Sequence, residues 1–120
     1  MGTAKSAACG AVVVNSGSTR VIAVLGGQVS PDAFTVTEQS EMELFNCDMS
    51  GATPVCTKLA NGPSLNTARG NFGCGVIEAT DGSKLFLALK TGGATTTKGT
   101  EVLDVSDSTV TNWGSWQTCE

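Results

Sequence analysis

A chain of 120 residues, 15% charged and with a formal net charge of −4, suffices for one domain core and is too sparsely charged for a polyelectrolyte tail. A domain of this size buries roughly 65% of its unfolded surface, and its acidic balance argues against a nucleic-acid partner. The absence of His removes most catalytic bases and most zinc or copper sites, while sixteen Thr and fifteen Gly beside few helix formers lean toward an all-β protein.

The N-terminal Met1-Gly2-Thr3-Ala4-Lys5-Ser6 fits the loose myristoylation pattern, but small residues after Met are too common for it to carry weight. The apolar run 11–14 is cut at once by Asn15-Ser16-Gly17-Ser18, so this start is a poor signal peptide. Secretion is expected to be absent or guided by a leader already removed. No apolar run exceeds the length of residues 21–25, far too short for a membrane span.

Short apolar runs bounded by turn residues predict strands, and no helical period competes with them. Residues 11–14 and 20–25, joined across Asn15 to Ser18 and closed by Gly26-Gly27, read as a hairpin. A looser Thr-rich stretch follows. Residues 41–47 alternate as a third strand, Asp48-Met49-Ser50-Gly51 turns the chain, and residues 55–59 form a fourth. The pattern then restarts. Residues 74–79, a turn at Asp81-Gly82 and residues 84–89 ending at Gly92-Gly93 repeat the hairpin; 101–105 is a third strand and 109–118 holds a fourth. Cys9-Gly10 recurs as Cys74-Gly75 after 65 residues and the Gly pairs recur after 66, whereas Glu41 and Glu101 lie 60 apart. A loop 28–40 that is six residues longer than its counterpart 94–100 accounts for the shift. The chain is therefore read as two four-stranded antiparallel units, residues 1–69 and 70–120, with the boundary near Pro63 to Gly70. An eight-stranded sandwich, as in a small coat subunit, is the competing architecture.

These units resemble kelch repeats, the blades of kelch β-propellers. The second unit carries the motif through Arg69, Val76-Ile77, Asp81-Gly82, residues 85–89, Gly92-Gly93, residues 101–105 and Trp113. The first matches through residues 12–14, 21–25, Gly26-Gly27 and 43–46. It departs in having only Lys5 near the place of the leading Arg and Val55-Cys56 in place of the fourth-strand Trp, and the whole chain lacks the family's usual Tyr. The resemblance implies an all-β fold of two kelch-type propeller blades, incomplete unless other chains or a longer parent protein close the ring. It also implies a non-enzymatic protein-binding or scaffold role, with a protein partner or further copies of the chain completing the propeller. The copper radical oxidases among such propellers rely on Tyr and His, and this chain has neither. No cofactor is expected.

Within that frame the Gly pairs serve crowded strand ends where positive φ is useful. Arg69 has five donors for neighbouring carbonyls and is expected to be chiefly structural, with a second role as a partner contact. Trp113 is expected to pack between blades and Trp116 to be the exposed aromatic, a platform for a sugar or protein. Asp32 in the long loop, with Thr96 and Lys98 in its counterpart, complete the expected binding set. The acidic residues Glu41, Glu43, Asp48, Glu101, Asp104 and Asp107 are expected at strand ends or on exposed faces. Only residues 104–108 faintly suggest a calcium loop.

Five cysteines leave one unpaired if the rest oxidise. Cys47 and Cys56, on successive antiparallel strands, are expected to bridge, stabilising by roughly 2–3 kcal/mol. Cys9 and Cys74, as equivalent positions of neighbouring blades, are expected to be buried and unbridged. Cys119 is the candidate for an intermolecular bond. A bridge at Cys47 and Cys56 favours an extracellular setting, and with it the alternative of a disulfide-containing ligand- or glycan-binding domain. No Asn-x-Ser/Thr acceptor for N-glycosylation occurs.

Overall fold

The computed structural model describes residues 8–30, 37–70, 72–80, 85–91 and 99–119. Among them the chain is all-β, with two four-stranded antiparallel sheets and no closed sheet. The first comprises β1 (Cys9–Ser16), β2 (Thr19–Leu25), β5 (Met42–Asp48) and β6 (Val55–Lys58), hydrogen-bonded in that order. Between β2 and β5, a two-residue ladder joins β3 (Gln28–Val29) to β4 (Thr37–Glu38). The second sheet holds β7 (Phe72–Glu78), β8 (Leu85–Thr91), β9 (Thr100–Asp104) and β10 (Gln117–Cys119), again in chain order. A single 3-10 turn, Val110–Asn112, separates its last two strands. No helix of the described residues is long and apolar enough to cross a membrane.

Period-two alternation makes the first sheet's inner face. Val21, Ala23 and Leu25 of β2 are buried in turn, and Met42 and Leu44 of β5 lie opposite Leu25 and Ala23. A bulge between Val12 and Val14 inserts Val13 into β1 and buries it, although Val12 beside it is 46% exposed. Leu103 of β9 and Val105 just beyond it, Leu65 from the connecting segment, Trp113 and Trp116 join these residues in one hydrophobic cluster. The two sheets therefore share a single core.

The segment between β6 and β7 is stitched to both units. Leu59 N–H donates to Leu44 O, Gly62 N–H to Met42 O and Leu65 N–H to Ser40 O, each at 2.8 Å, so it descends along the edge of β5. Arg69 then pairs with Gln39 in an isolated antiparallel bridge, and Gly27 N–H donates to Arg69 O at 2.8 Å.

Gly26 and Gly27 have φ of 56° and 102°, the conformation in which a Cβ is strained. At Gly26 space is also closed: a Cβ would lie 2.5 Å from Arg69 O and 2.9 Å from the Phe72 ring. Gly17, in the β1–β2 turn, has nearly the same φ of 57° with nothing within 4 Å of the added atom. Gly26→Ala is accordingly expected to destabilise by about 2 kcal/mol or more, and Gly17→Ala by about 1 kcal/mol. Urea unfolding of the two variants checks this, and equal losses would show that crowding at Gly26 adds nothing.

Candidate functional site

The largest polar feature of the core is a buried ion pair between the units. Arg69 and Glu101 are both fully buried, and Arg69 Nη2 lies 2.7 Å from Glu101 Oε2. Arg69 also donates from Nη1 to Gly99 O at 2.8 Å, and from Nε to Thr67 O at 3.5 Å. Glu101 accepts from Asn66 N–H at 2.7 Å and Thr67 N–H at 3.2 Å. A buried charge is tolerable only when its hydrogen-bonding capacity is used, and these contacts use it. The guanidinium does reach carbonyls, as its donor count suggests, but its burial leaves it no surface for a partner.

Trp116 is likewise placed inside. It is 2% exposed, its indole N–H donates to Pro63 O at 3.0 Å, and Asn66 Nδ2 donates to its carbonyl at 3.0 Å. The expected exposed platform is thus a clamp on the connecting segment. Trp113 is buried as expected, with its indole N–H on Asp107 O at 2.7 Å. Asp32, Thr96 and Lys98 lie outside the described residues.

Two of the six acidic positions depart from expectation. Glu43 and Glu101 are buried on the third strand of their sheets, whereas Asp48, Asp104 and Asp107 are exposed. The exposed aspartates are engaged in their own turns. Asp104 accepts from Ser106 N–H, and Asp107 from Thr109 N–H at 2.8 Å and Asn112 Nδ2 at 2.9 Å. The Thr109 and Asn112 donors hold the Asp107 carboxyl below the usual aspartate range, and Ser50 does the same for Asp48. Among the described residues no three His, Cys, Asp or Glu side chains gather as a metal site.

Two disulfides are present, favouring an oxidising setting. Cys47 and Cys56 bridge as expected, directly opposite in the β5–β6 ladder with Cα atoms 4.0 Å apart. Cys9 and Cys74 also bridge, across 6.1 Å between Cα atoms, which corrects the expectation of separate buried thiols. The correction follows from register. Cys9 pairs with Leu25 and so lies on the first sheet's inner face, while Cys74 shares a row with Glu101 on the second sheet's inner face. Facing sides bring the sulfurs together. Cys119 is free and exposed.

The surfaces left to solvent are what could recognise a partner. On the outer face of the first sheet, Ile22, Val24, Phe45, the Cys47–Cys56 bridge and Lys58 line a hollow of about 380 Å³. It continues over Val12, Arg20, Met49 and Pro54. Lys58 Nζ sits 5.7 Å from the Phe45 ring centroid and 3.8 Å from Glu43 Oε2. On the outer face of the second sheet, Phe86, Val102, Asp104, Gln117 and Cys119 line a hollow of about 590 Å³, and Ile77 in the Phe86 row is 56% exposed. A third opening, of about 460 Å³, is lined from β1 and β7; among the described residues Glu78 is its one ionisable lining residue, beside Asn15, Ser16, Ser106 and Ser108. The sequence carries a signal for the first sheet's apolar outer face, since residues 21–25 are apolar at every position without alternation, as in a strand covered on both sides. No family model, curated protein or solved structure matches the chain.

Proposed function

We propose that the chain is a non-enzymatic protein-binding or scaffold module built from two kelch-like blades, acting through the outer faces of its sheets. The observation that supports this most is the apolar character of those faces. An antiparallel sheet with one solvated side normally alternates apolar and polar residues, yet Ile22, Val24 and Phe45 face outward on one side of the molecule and Ile77, Phe86 and Val102 on the other. The chain-order connection of each four-stranded sheet, and the contact of Gly27 N–H with Arg69 O just before the second unit, support the blade reading. A partner, whether another protein or the same chain, would cover these faces.

The extracellular ligand- or glycan-binding reading is favoured by the two disulfides. It draws no support from Trp116, which is buried. Phe45→Glu places a charge at the centre of the first hollow without touching the shared core. It is expected to release a protein retained by the immobilised wild-type chain, cutting the bound amount at least tenfold, since losing an aromatic anchor costs about 2 kcal/mol. Undiminished protein retention by Phe45→Glu, with native circular dichroism, would remove the outer face from the function.

A further inference from the structure

The edge strands of the two sheets are unequally guarded. Edges avoid stray pairing by being short, by carrying charge or Pro, or by bulging. β10 has three residues, β6 has four and carries Lys58, and β7 ends on Glu78. β1 runs for eight residues with neither a charge nor a Pro, and its one guard is the bulge between Val12 and Val14. Among the described residues, no backbone–backbone hydrogen bond reaches β1 apart from its ladder with β2. Alternate N–H and C=O groups of an edge strand point away from its single neighbour, so β1 keeps pairing capacity to spare.

The opening of about 460 Å³ lies against that edge. It is lined by residues 12–16 in unbroken succession, together with Val76 and Glu78 of β7. Successive side chains of a strand point to opposite faces, so a space that touches all five meets the strand edge-on. At about 3.3 Å per residue, these five offer an edge of roughly 17 Å. β1 and β7 are bridged near their starts, at Cys9 and Cys74, and both reach the opening with their last residues. Val12 and Val76, 46% and 40% exposed, give it apolar contact surface. Glu78, its one ionisable lining residue among those described, is exposed, and the whole chain carries −4.

These features select the occupant. The bulge bends the edge and so works against long pairing with a second β1, and two copies would also bring like net charges together. A short segment with positive charge meets neither obstacle. We infer that the β1 edge takes up an extended peptide segment as an added strand, with a Lys or Arg of that segment paired to Glu78. The site shares no lining residue with the hollow of about 380 Å³ around Phe45 and does not rest on it.

Linear seven-residue peptides displayed on phage, selected on the immobilised chain carrying Cys119→Ser, test this. Fluorescence polarisation then measures the synthetic winners. They are expected to contain Lys or Arg, to bind Glu78→Gln about three- to fivefold more weakly and to bind Glu78→Lys at least tenfold more weakly. N-methylation moved along the peptide is expected to abolish binding at every second amide and spare those between, because an added strand bonds its host through alternate residues. Phe45→Glu is expected to change nothing. If Glu78→Lys fails to fold by circular dichroism, Glu78→Gln decides. Winners indifferent to Glu78, an N-methyl scan without a period of two, or winners lost with Phe45→Glu each overturn the inference. So does a selection without winners, including one in which the chain sediments as a dimer with a second copy on its β1 edge. None of these outcomes touches the outer-face reading, which turns on protein retention by Phe45→Glu.

Discussion

Arg69→Ala is expected to destabilise the protein by about 3–5 kcal/mol, a large share of the roughly 5–15 kcal/mol that holds a domain of this size. The cost comes from what remains. Glu101 would be left fully buried beside two N–H donors but without its counter-ion, 2.7 Å away in the native protein. Gly99 O would lose its donor too. Glu101→Ala is expected to cost a similar amount, since it strands the guanidinium and the Asn66 and Thr67 amides together. The double variant should lose much less than the sum, giving a coupling of about 3 kcal/mol, because either single change already dismantles the group. Arg69→Lys keeps the charge but not the fork that reaches Glu101, Gly99 O and Thr67 O together, so it should restore only part of the loss. Urea unfolding of the four proteins decides the matter, and strictly additive losses would mean the pair does not act as a unit.

This ion pair also marks the limit of what local sequence can reveal. Seven of the eight main strands were legible because each falls on a short apolar run bounded by turn residues; the eighth, expected within 109–118, is only the exposed Gln117–Cys119, and Val110–Asn112 forms a 3-10 turn instead. The Gly26-Gly27 pair was legible because only glycine takes positive φ freely. The β3–β4 ladder was missed because two residues per strand, Gln28–Val29 against Thr37–Glu38, leave no alternation to detect. Glu43 and Glu101 were read as solvated because a charged residue normally is, and Arg69 lies 32 positions before Glu101, beyond any local pattern. Trp116 follows Gly114-Ser115 near the C-terminus, where exposure is the default; the carbonyl that fixes it belongs to Pro63, 53 residues earlier. Side-chain partners of this kind are created by folding and have no signature at either end.

Replacing Cys9 and Cys74 together by Ser is expected to cost about 4 kcal/mol, against roughly 2–3 kcal/mol for Cys47 and Cys56, because the bridged segments span 65 and 9 residues and loop entropy grows with length. The positions strengthen the contrast. Cys47 and Cys56 join strands that already share a backbone ladder, so their bridge duplicates an existing link. Cys9 and Cys74 join β1 to β7, which belong to different sheets with no ladder between them. Their bridge therefore ties the two units where no backbone hydrogen bonds do. The reading of these cysteines as equivalent positions rested on their 65-residue spacing, and the register places each on the inner face of its own sheet, Cys9 in the row of Leu25 and Met42 and Cys74 in the row of Leu89 and Glu101. Inner faces that share one core bring the two sulfurs together, which the sequence spacing by itself does not show. Native protein without reductant is expected to titrate one thiol, Cys119, and Cys9→Ser/Cys74→Ser is expected to unfold at markedly lower urea concentration than Cys47→Ser/Cys56→Ser. Alkylation of Cys9 and Cys74 in the folded chain, or equal midpoints for the two double variants, would remove the bridge between the sheets from the account of how they are held together.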